Sequence, residues 1–221
     1  MVTFPGESAE YRAARNDLLQ AEMDLRRQIE SVAAQRRALP PGGLVDKAYT
    51  FTTATPGRRE QRMGLSDLFT GGKDSLIVYG FMYADDGAPC PMCSAFLDSF
   101  DGAVPHIARQ ADIAIVAKTG ASRIRAWADN RGWRNLPLYS SEGSDFNTDY
   151  HAESDSHGQL PMVNVFRRDG EAIRHVVASE MFFAPSEPDQ NPRHVDMLWP
   201  LWNTLDLTPG GRGDWYPATR Y

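Results

Sequence analysis

The sequence predicts an α/β fold: a mainly parallel central sheet with helices on both faces, a terminal antiparallel hairpin, and an N-terminal helical arm. Three observations carry that prediction. Leu76–Tyr83 and Asp112–Ala117 are apolar on both faces, as strands of a helix-covered sheet are. Strand and helix patterns alternate from residue 76 to residue 140, which implies parallel strands joined by right-handed crossovers. Last, Met162–Phe166 and Ala172–Ala178 flank Asp169-Gly170, inside a short charged connection typical of a hairpin.

Residues 9–39 read as one amphipathic helix, with Tyr11, Ala14, Leu18, Ala21, Leu25, Ile29 and Val32 on a single stripe. Ser8 is the N-cap candidate, and Pro40-Pro41-Gly42-Gly43 stops the helix. The stripe suits packing on the body through Leu18, Leu25 and Ile29. A stripe this narrow also suits a partner helix, hence a homodimer through the arm. Ala48–Thr53 is a short strand candidate, closed by Thr55-Pro56-Gly57, and Leu65–Phe69 is an amphipathic turn. Phe96, Phe100, Val104 and Ile107 form one helix face after the cysteines, and Ala121–Arg131 is a second helix with Ile124 and Trp127 inward. Leu138-Tyr139-Ser140 is a short strand, and Asp145–Tyr150 a helical turn. Residues 185–221, rich in Pro, Gly and Trp, read as a tail in ordered loops, with Trp199 and Trp202 as its anchors. The expected organisation is an arm at 1–43, a domain at 44–184 and a tail at 185–221, packed on the domain.

The 221 residues are 42% hydrophobic and 24% charged, enough apolar surface to exclude disorder along the whole chain. The longest apolar run, Leu76–Ala84, has nine residues including Gly80; a membrane-spanning helix needs about 20, so no membrane partner is expected. Residues 1–62 hold ten basic and eight acidic side chains (net +2), leaving thirteen against twenty-one (net −8) for the rest. An acidic body is a poor match for nucleic acid.

Cys90 and Cys93 are the only cysteines. No basic region followed by an apolar stretch precedes them, so the expected compartment is the cytoplasm, where a single CxxC in an α/β chain reads as redox-active. Cys90-Pro91-Met92-Cys93 follows the strongest strand and precedes a helix. With Cys90 as N-cap, Pro91 falls at the first helical position, where its missing N–H costs nothing. The Cys90 sulfur then faces the free N–H groups and the positive end of the helix dipole, which favours thiolate. Cys93 lies one turn on, close enough to close a disulfide. Asp85 and Asp86, just upstream, oppose thiolate formation. The competing readings are half of a zinc site and an inert core pair. Zinc usually takes four ligands, and the histidines at 106, 151, 157, 175 and 194 show no ligand spacing. No metal and no cofactor is therefore expected.

The element order is that of a thioredoxin-type domain, and Leu160-Pro161-Met162 ahead of the hairpin resembles the segment that carries a cis proline in thioredoxin-like reductases. That resemblance implies a cis Leu160–Pro161 bond opposite the CxxC, with Pro161 presenting backbone to substrate. Leu160 and Pro161, with Pro91 and Met92 between the cysteines, are thus the substrate-contacting candidates. The peroxiredoxin pattern is absent, since Gly87 stands where that pattern has Thr or Ser.

Several motifs occur in order: Gly80-Phe81-Met82, Cys90-Pro91-Met92-Cys93-Ser94, Arg131-Gly132-Trp133, Ser140-Ser141 with Ser144-Asp145-Phe146-Asn147-Thr148-Asp149, and Leu205-Asp206-Leu207-Thr208-Pro209. Together they resemble the thioredoxin-like bacterial family catalogued as domain of unknown function eight-nine-nine, described as predicted dithiol–disulfide oxidoreductases. The chain departs from that family at Gly80, where His is common after Tyr, and at Lys118-Thr119-Gly120, where Ser-Arg-Ala is. The resemblance implies a thiol–disulfide oxidoreductase. Cys90 would attack a disulfide-containing protein or a small thiol compound, and Cys93 would resolve the adduct. The alternative is a redox-inactive interaction module that uses the arm or the Trp-rich tail. Asn and Asp of the polar Ser140–Tyr150 segment suit substrate binding or, as the favoured reading, turn residues that bond local backbone.

Overall fold

The structure, a computed structural model, describes residues 2–188, 195 and 198–221. His194 and the tail residues 189–193, 196 and 197 lie outside the described residues. The chain divides into two units, Met1–Pro41 and Gly42–Tyr221.

The first unit is built on α1 (Ala9–Arg37). The Ser8 hydroxyl accepts the Tyr11 N–H at 3.0 Å, which satisfies one donor of the open first turn. Glu10 in the first turn and Arg36 and Arg37 in the last complement the helix dipole.

In the second unit the chain runs β1 (Gly43–Leu44), β2 (Thr50–Thr53), β3 (Arg62–Gly64), a 3-10 turn at Leu65–Leu68, and β4 (Ser75–Gly80). It continues through α2 (Pro91–Asp101), α3 (Val104–Ile107), β5 (Asp112–Ala117), α4 (Ala121–Arg131), β6 (Leu138–Ser140) and α5 (Phe146–Asp149). A small pair, β7 (Glu153–Ser154) and β8 (Gly158–Gln159), leads to β9 (Val163–Asp169), β10 (Ala172–Ala178), a 3-10 turn at Glu180–Phe182, and α6 (Pro200–Leu205). The expected single helix after the cysteines is two, because the chain turns at Gly102 and restarts with Pro105 in the first turn of α3.

The main sheet has the order β1-β10-β9-β4-β5-β6-β2-β3. At its centre β4 and β5 are parallel, with Leu76 opposite Asp112 and Gly80 opposite Val116, and β5 is parallel to β6. The β9–β10 hairpin joins β4 antiparallel. Its two-residue turn places Gly170 at φ 61°, the left-handed region that a tight hairpin demands. The far edge is also antiparallel, formed by β2 and β3. Neither β1 nor β3 is legible as a pattern of residues, since they have only two and three residues.

Alternation along β4 and β5 separates two cores. Tyr79, Ile113, Ile115 and Ala117 join Cys93, Phe96 and Leu97 of α2, Ile124 and Ala128 of α4, and Trp199 and Trp202. Leu76, Val78, Ala114 and Val116 face Phe51, Leu68, Phe146 and Phe166. Helices α2 and α4 thus cover one face, and α5 with the first 3-10 turn the other. This is a thioredoxin-like fold with an N-terminal helix.

The β4 ladder to β9 stops at Gly80 because residues 160–162 fold against it. The Gly80 N–H donates to Met162 O at 2.7 Å. A Cβ at Gly80 would sit 3.0 Å from Ala152 Cβ and 3.4 Å from Met162 O. Gly80→Ala is therefore expected to destabilise the protein by about 1–3 kcal/mol, the usual cost of overpacking. Urea denaturation reads this as a lower midpoint at unchanged m. A midpoint equal to or above the wild type contradicts the tight packing.

Candidate redox site at the start of α2

Cys90 is the N-cap of α2, at φ −56° and ψ 127°, and Pro91 is the first helical residue. The Cys90 sulfur accepts the Cys93 N–H at 3.4 Å. Three bonds fix this turn. The Cys90 N–H donates to Met82 O at 3.0 Å. Both the N–H and the hydroxyl of Ser94 donate to Cys90 O at 2.9 Å. The Trp127 indole N–H donates to the Ser94 hydroxyl at 3.2 Å, tying α4 to the first turn of α2. Trp127 reads in the sequence as a core residue; the neighbouring Ser94 in the CPMCS motif is the one hint of its polar contact.

Both cysteines are free thiols; Cys90 is partly accessible, whereas Cys93 is fully buried. Their acidities diverge. The Cys93 thiol donating to Cys90, together with the N–H groups of Cys93 and Met92, outweighs burial and lowers the Cys90 pKa to about 6. Burial pushes Cys93 well up, and its bond to Cys90 adds to that. These are the mechanisms by which hydrogen bonding favours a charged form and desolvation opposes it.

Asp85 does not act as the sequence suggested. Its carboxylate accepts the Thr119 hydroxyl and the Gly120 N–H, the latter at 3.2 Å, at the start of α4. The bond from Thr119 holds the Asp85 carboxyl below the usual range. Arg123 bonds the Asp85 and Gly87 carbonyls and lies over the Tyr83 ring, 5.1 Å from its centre. The loop between β4 and Cys90 is thus anchored to α4, and its first carboxylate is directed at that helix.

The Leu160–Pro161 bond is trans, since no cis peptide occurs among the described residues. This corrects the expectation of a cis proline. The Met162 N–H donates to Leu160 O at 3.0 Å, closing a three-residue turn around Pro161. Only a trans bond places the Leu160 oxygen on the side that closes this ring. Pro161 is buried and Leu160 half-buried. Their turn is brought to Gly80, and no hydrogen bond ties it to either thiol among the described residues. Of the other candidates, Pro91 is exposed and Met92 half-buried beside Cys90.

One group of the site was not legible as such in the sequence. Tyr79, on β4, is 2% exposed and packs on Phe96 with ring centres 4.8 Å apart. Burial raises its pKa strongly, and the neighbouring Cys93 sulfur adds to that. In the sequence it is one member of an apolar run.

Other polar features are engaged elsewhere. Asp149 accepts from Lys47 and from the Tyr49 hydroxyl, both at 2.8 Å. Ser141 donates to Asn147 at 2.5 Å, so the polar 140–150 segment bonds within the fold. A cleft of about 730 Å³ lined by Arg58, Arg59, Arg134 and Tyr139 includes neither cysteine. Among the described residues, no group of three His, Cys, Asp or Glu is placed to hold a metal, and no helix is long and apolar enough to cross a membrane.

The family described as "Bacterial protein of unknown function (DUF899)" matches residues 1–220. No curated protein matches the sequence. Similar solved structures include the mitochondrial 2-Cys peroxiredoxin from Plasmodium falciparum, at 15% identity over 61% of this chain and 79% of that one, with a TM-score of 0.46. Reduced Prx3 in complex with hydrogen peroxide from Vibrio vulnificus has 14% identity over 70% and 92%, with a TM-score of 0.48. Peroxidoxin BcpB from Mycobacterium tuberculosis has 14% identity over 62% and 86%, with a TM-score of 0.45.

The two thiols should alkylate very differently with pH. With a pKa of about 6, Cys90 is ~90% thiolate at pH 7, against ~3% for an ordinary thiol near 8.5. In a Cys93→Ser variant, where the serine hydroxyl takes the place of the thiol donor, the iodoacetamide rate is expected to have its midpoint near pH 6 and to level off between about pH 7 and 8. In Cys90→Ser, Cys93 is expected to stay unreactive at neutral pH. A Cys90 rate still climbing through pH 8 contradicts the assignment.

Proposed function

We propose that this chain, which belongs to the DUF899 family of bacterial proteins, is a thiol–disulfide oxidoreductase that works through Cys90 and Cys93. The observation that carries the reading is the opposed state of two adjacent thiols: an accessible one held as thiolate at a helix start, and a buried one held protonated beside it. Thiol–disulfide exchange needs that asymmetry, because the attacking sulfur must be charged and reachable, whereas the resolving sulfur need reach only its neighbour.

The Cys90 thiolate attacks one sulfur of a substrate disulfide. A bond forms between Cys90 and that sulfur, and the other substrate sulfur leaves as thiolate. Cys93 then loses its proton and attacks Cys90, forming the Cys90–Cys93 disulfide, and the second substrate sulfur departs carrying the proton. The substrate gains two electrons and the cysteine pair loses two. The reverse sequence oxidises a substrate dithiol.

Pro91 and Met92 flank the attacking sulfur and are the side chains that a substrate meets first. Leu160 has both backbone groups engaged, its N–H with Ala152 O and its carbonyl with the Met162 N–H. Its N–H is thus unavailable to a substrate, which would meet its side chain or the remaining lone pair of its carbonyl, and Pro161 shapes that turn. The substrate class is an accessible disulfide, on a protein or on a small thiol compound.

Cys93→Ser is expected to accumulate covalent adducts with disulfide substrates, released by dithiothreitol and visible by non-reducing electrophoresis or intact mass. Cys90→Ser is expected to form none. Adducts on Cys90→Ser alone, or on neither variant, would sink the proposal.

A further inference from the structure

Three arginines gather away from the cysteines. Arg58 and Arg59, in the loop between β2 and β3, and Arg134, in the loop between α4 and β6, line one cleft of about 730 Å³. No Asp or Glu lines it, although the chain beyond residue 62 carries a net −8. Among the described residues, no ion pair and no side-chain hydrogen bond engages any of the three guanidiniums. The neighbouring acids are held elsewhere. Glu60 pairs with Arg125 of α4 at 3.8 Å. Asp112 accepts the Thr70 hydroxyl at 3.2 Å and the Gly71 N–H at 3.3 Å. One oxygen of Asp101 accepts the backbone N–H groups of residues 134–136, at 2.8–3.1 Å.

Both loops are fixed without using the arginine side chains. Asp101 holds the second. The first is tied to β6, where the Thr55 hydroxyl accepts the Leu138 N–H at 2.9 Å and the Ala54 N–H donates to Leu138 O at 2.8 Å. It then turns at Gly57, φ 74°, with the Arg58 N–H donating to Thr55 O at 3.2 Å. A ligand therefore meets a preformed backbone and pays little ordering entropy. Met63, Pro137 and the buried Tyr139 add apolar surface to the cleft. Pro137 leads into β6 and accepts the Ile115 N–H at 2.8 Å, whereas Cys90 follows the C-terminal end of β4. Since β4, β5 and β6 are parallel, cleft and cysteines lie toward opposite ends of the sheet.

Guanidiniums bind anionic oxygens through paired N–H donors, and three of them without a carboxylate leave three positive charges to be matched. A phosphate carries about −1.5 to −2 in one tetrahedral group that arginines from two loops can share. A carboxylate carries a single charge in one plane. A cleft of this volume is the size of a small-molecule site. We propose that it binds a phosphorylated small molecule, with the phosphates on Arg58, Arg59 and Arg134 and the organic part against Met63, Pro137 and Tyr139. This site is independent of the chemistry assigned to the cysteines.

The test is calorimetric titration of the full chain with inorganic pyrophosphate, adenosine diphosphate and citrate, the last a polyanion without phosphate. Both phosphate probes are expected to bind once per chain and more tightly than citrate. Arg58→Ala, Arg59→Ala and Arg134→Ala should each weaken that binding about three- to tenfold, and the triple variant should lose it. Arg26→Ala, on α1 and outside the cleft, should leave it unchanged. The three cleft arginines are exposed, and an unchanged Cys90 alkylation rate in their variants separates loss of the site from loss of the fold. Absence of binding by both phosphate probes at millimolar concentration overturns the proposal. So does tighter binding of citrate than of either probe, or binding that Arg26→Ala weakens as much as the cleft substitutions do.

Discussion

A helix needs something at its first turn to accept N–H groups that have no partner within it. In most helices a serine, threonine or aspartate does so; in α2 a sulfur does. Cys90 caps its own helix by accepting the Cys93 N–H, and Pro91 at the next position removes an N–H that would otherwise be unmet. A cap of this kind is a better acceptor when charged, so capping and acidity are the same interaction seen from two sides. The cost of holding charge on Cys90 against partial burial is offset by the Cys93 thiol and the helix N–H groups.

That helix start is held where it is by β4 and its continuation. Tyr79, Gly80 and Met82 lie within four residues of each other and each has a separate task. Tyr79 faces α2 and Cys93. Gly80 lets the 160–162 turn approach the strand. Met82 bonds Cys90. A side chain at position 80 would need Ala152 and the 160–162 turn to give way. On the other side, α4 reaches the site twice, through Trp127 to Ser94 and through Gly120 and Arg123 to the loop at 85–87. On the proposed function, the donors that hold the Cys90 thiolate stabilise the reduced pair and make its disulfide a better oxidant than an unperturbed one.

Much of this was legible in the residues. The parallel pairing of β4 with β5 follows from two runs apolar on both faces, and the Asp169-Gly170 hairpin from its turn chemistry. Cys90 as N-cap follows from Pro91 and from the strand before it. What was not legible depends on partners distant in sequence. The trans Leu160–Pro161 bond belongs to a turn that is held against the distant Gly80 of β4, which no local pattern announces. Asp85 looked like a carboxylate beside a thiol, because sequence distance to Cys90 is short while the bond to Gly120 spans 35 residues. Tyr79 looked like core, which it is; only the placement of α2 over β4 packs it with Cys93 and Phe96. Strands β1 and β3 form because a neighbour supplies their pattern of bonds, and their own two or three residues carry none.

The central claim is that reduction leaves Cys90 charged and Cys93 protonated, and the pH dependence of the reduction potential reads this directly. Below a Cys90 pKa of about 6, reduction takes up two protons with two electrons, and the potential should fall by about 59 mV per pH unit. Above it, one proton suffices, and the slope should halve to about 30 mV per pH unit. The account predicts a break near pH 6 in equilibration with a glutathione or dithiothreitol buffer, with two thiols lost per chain on oxidation. A slope of two protons maintained up to the ordinary thiol range near pH 8.5, or a protein that forms no disulfide at all, would contradict it.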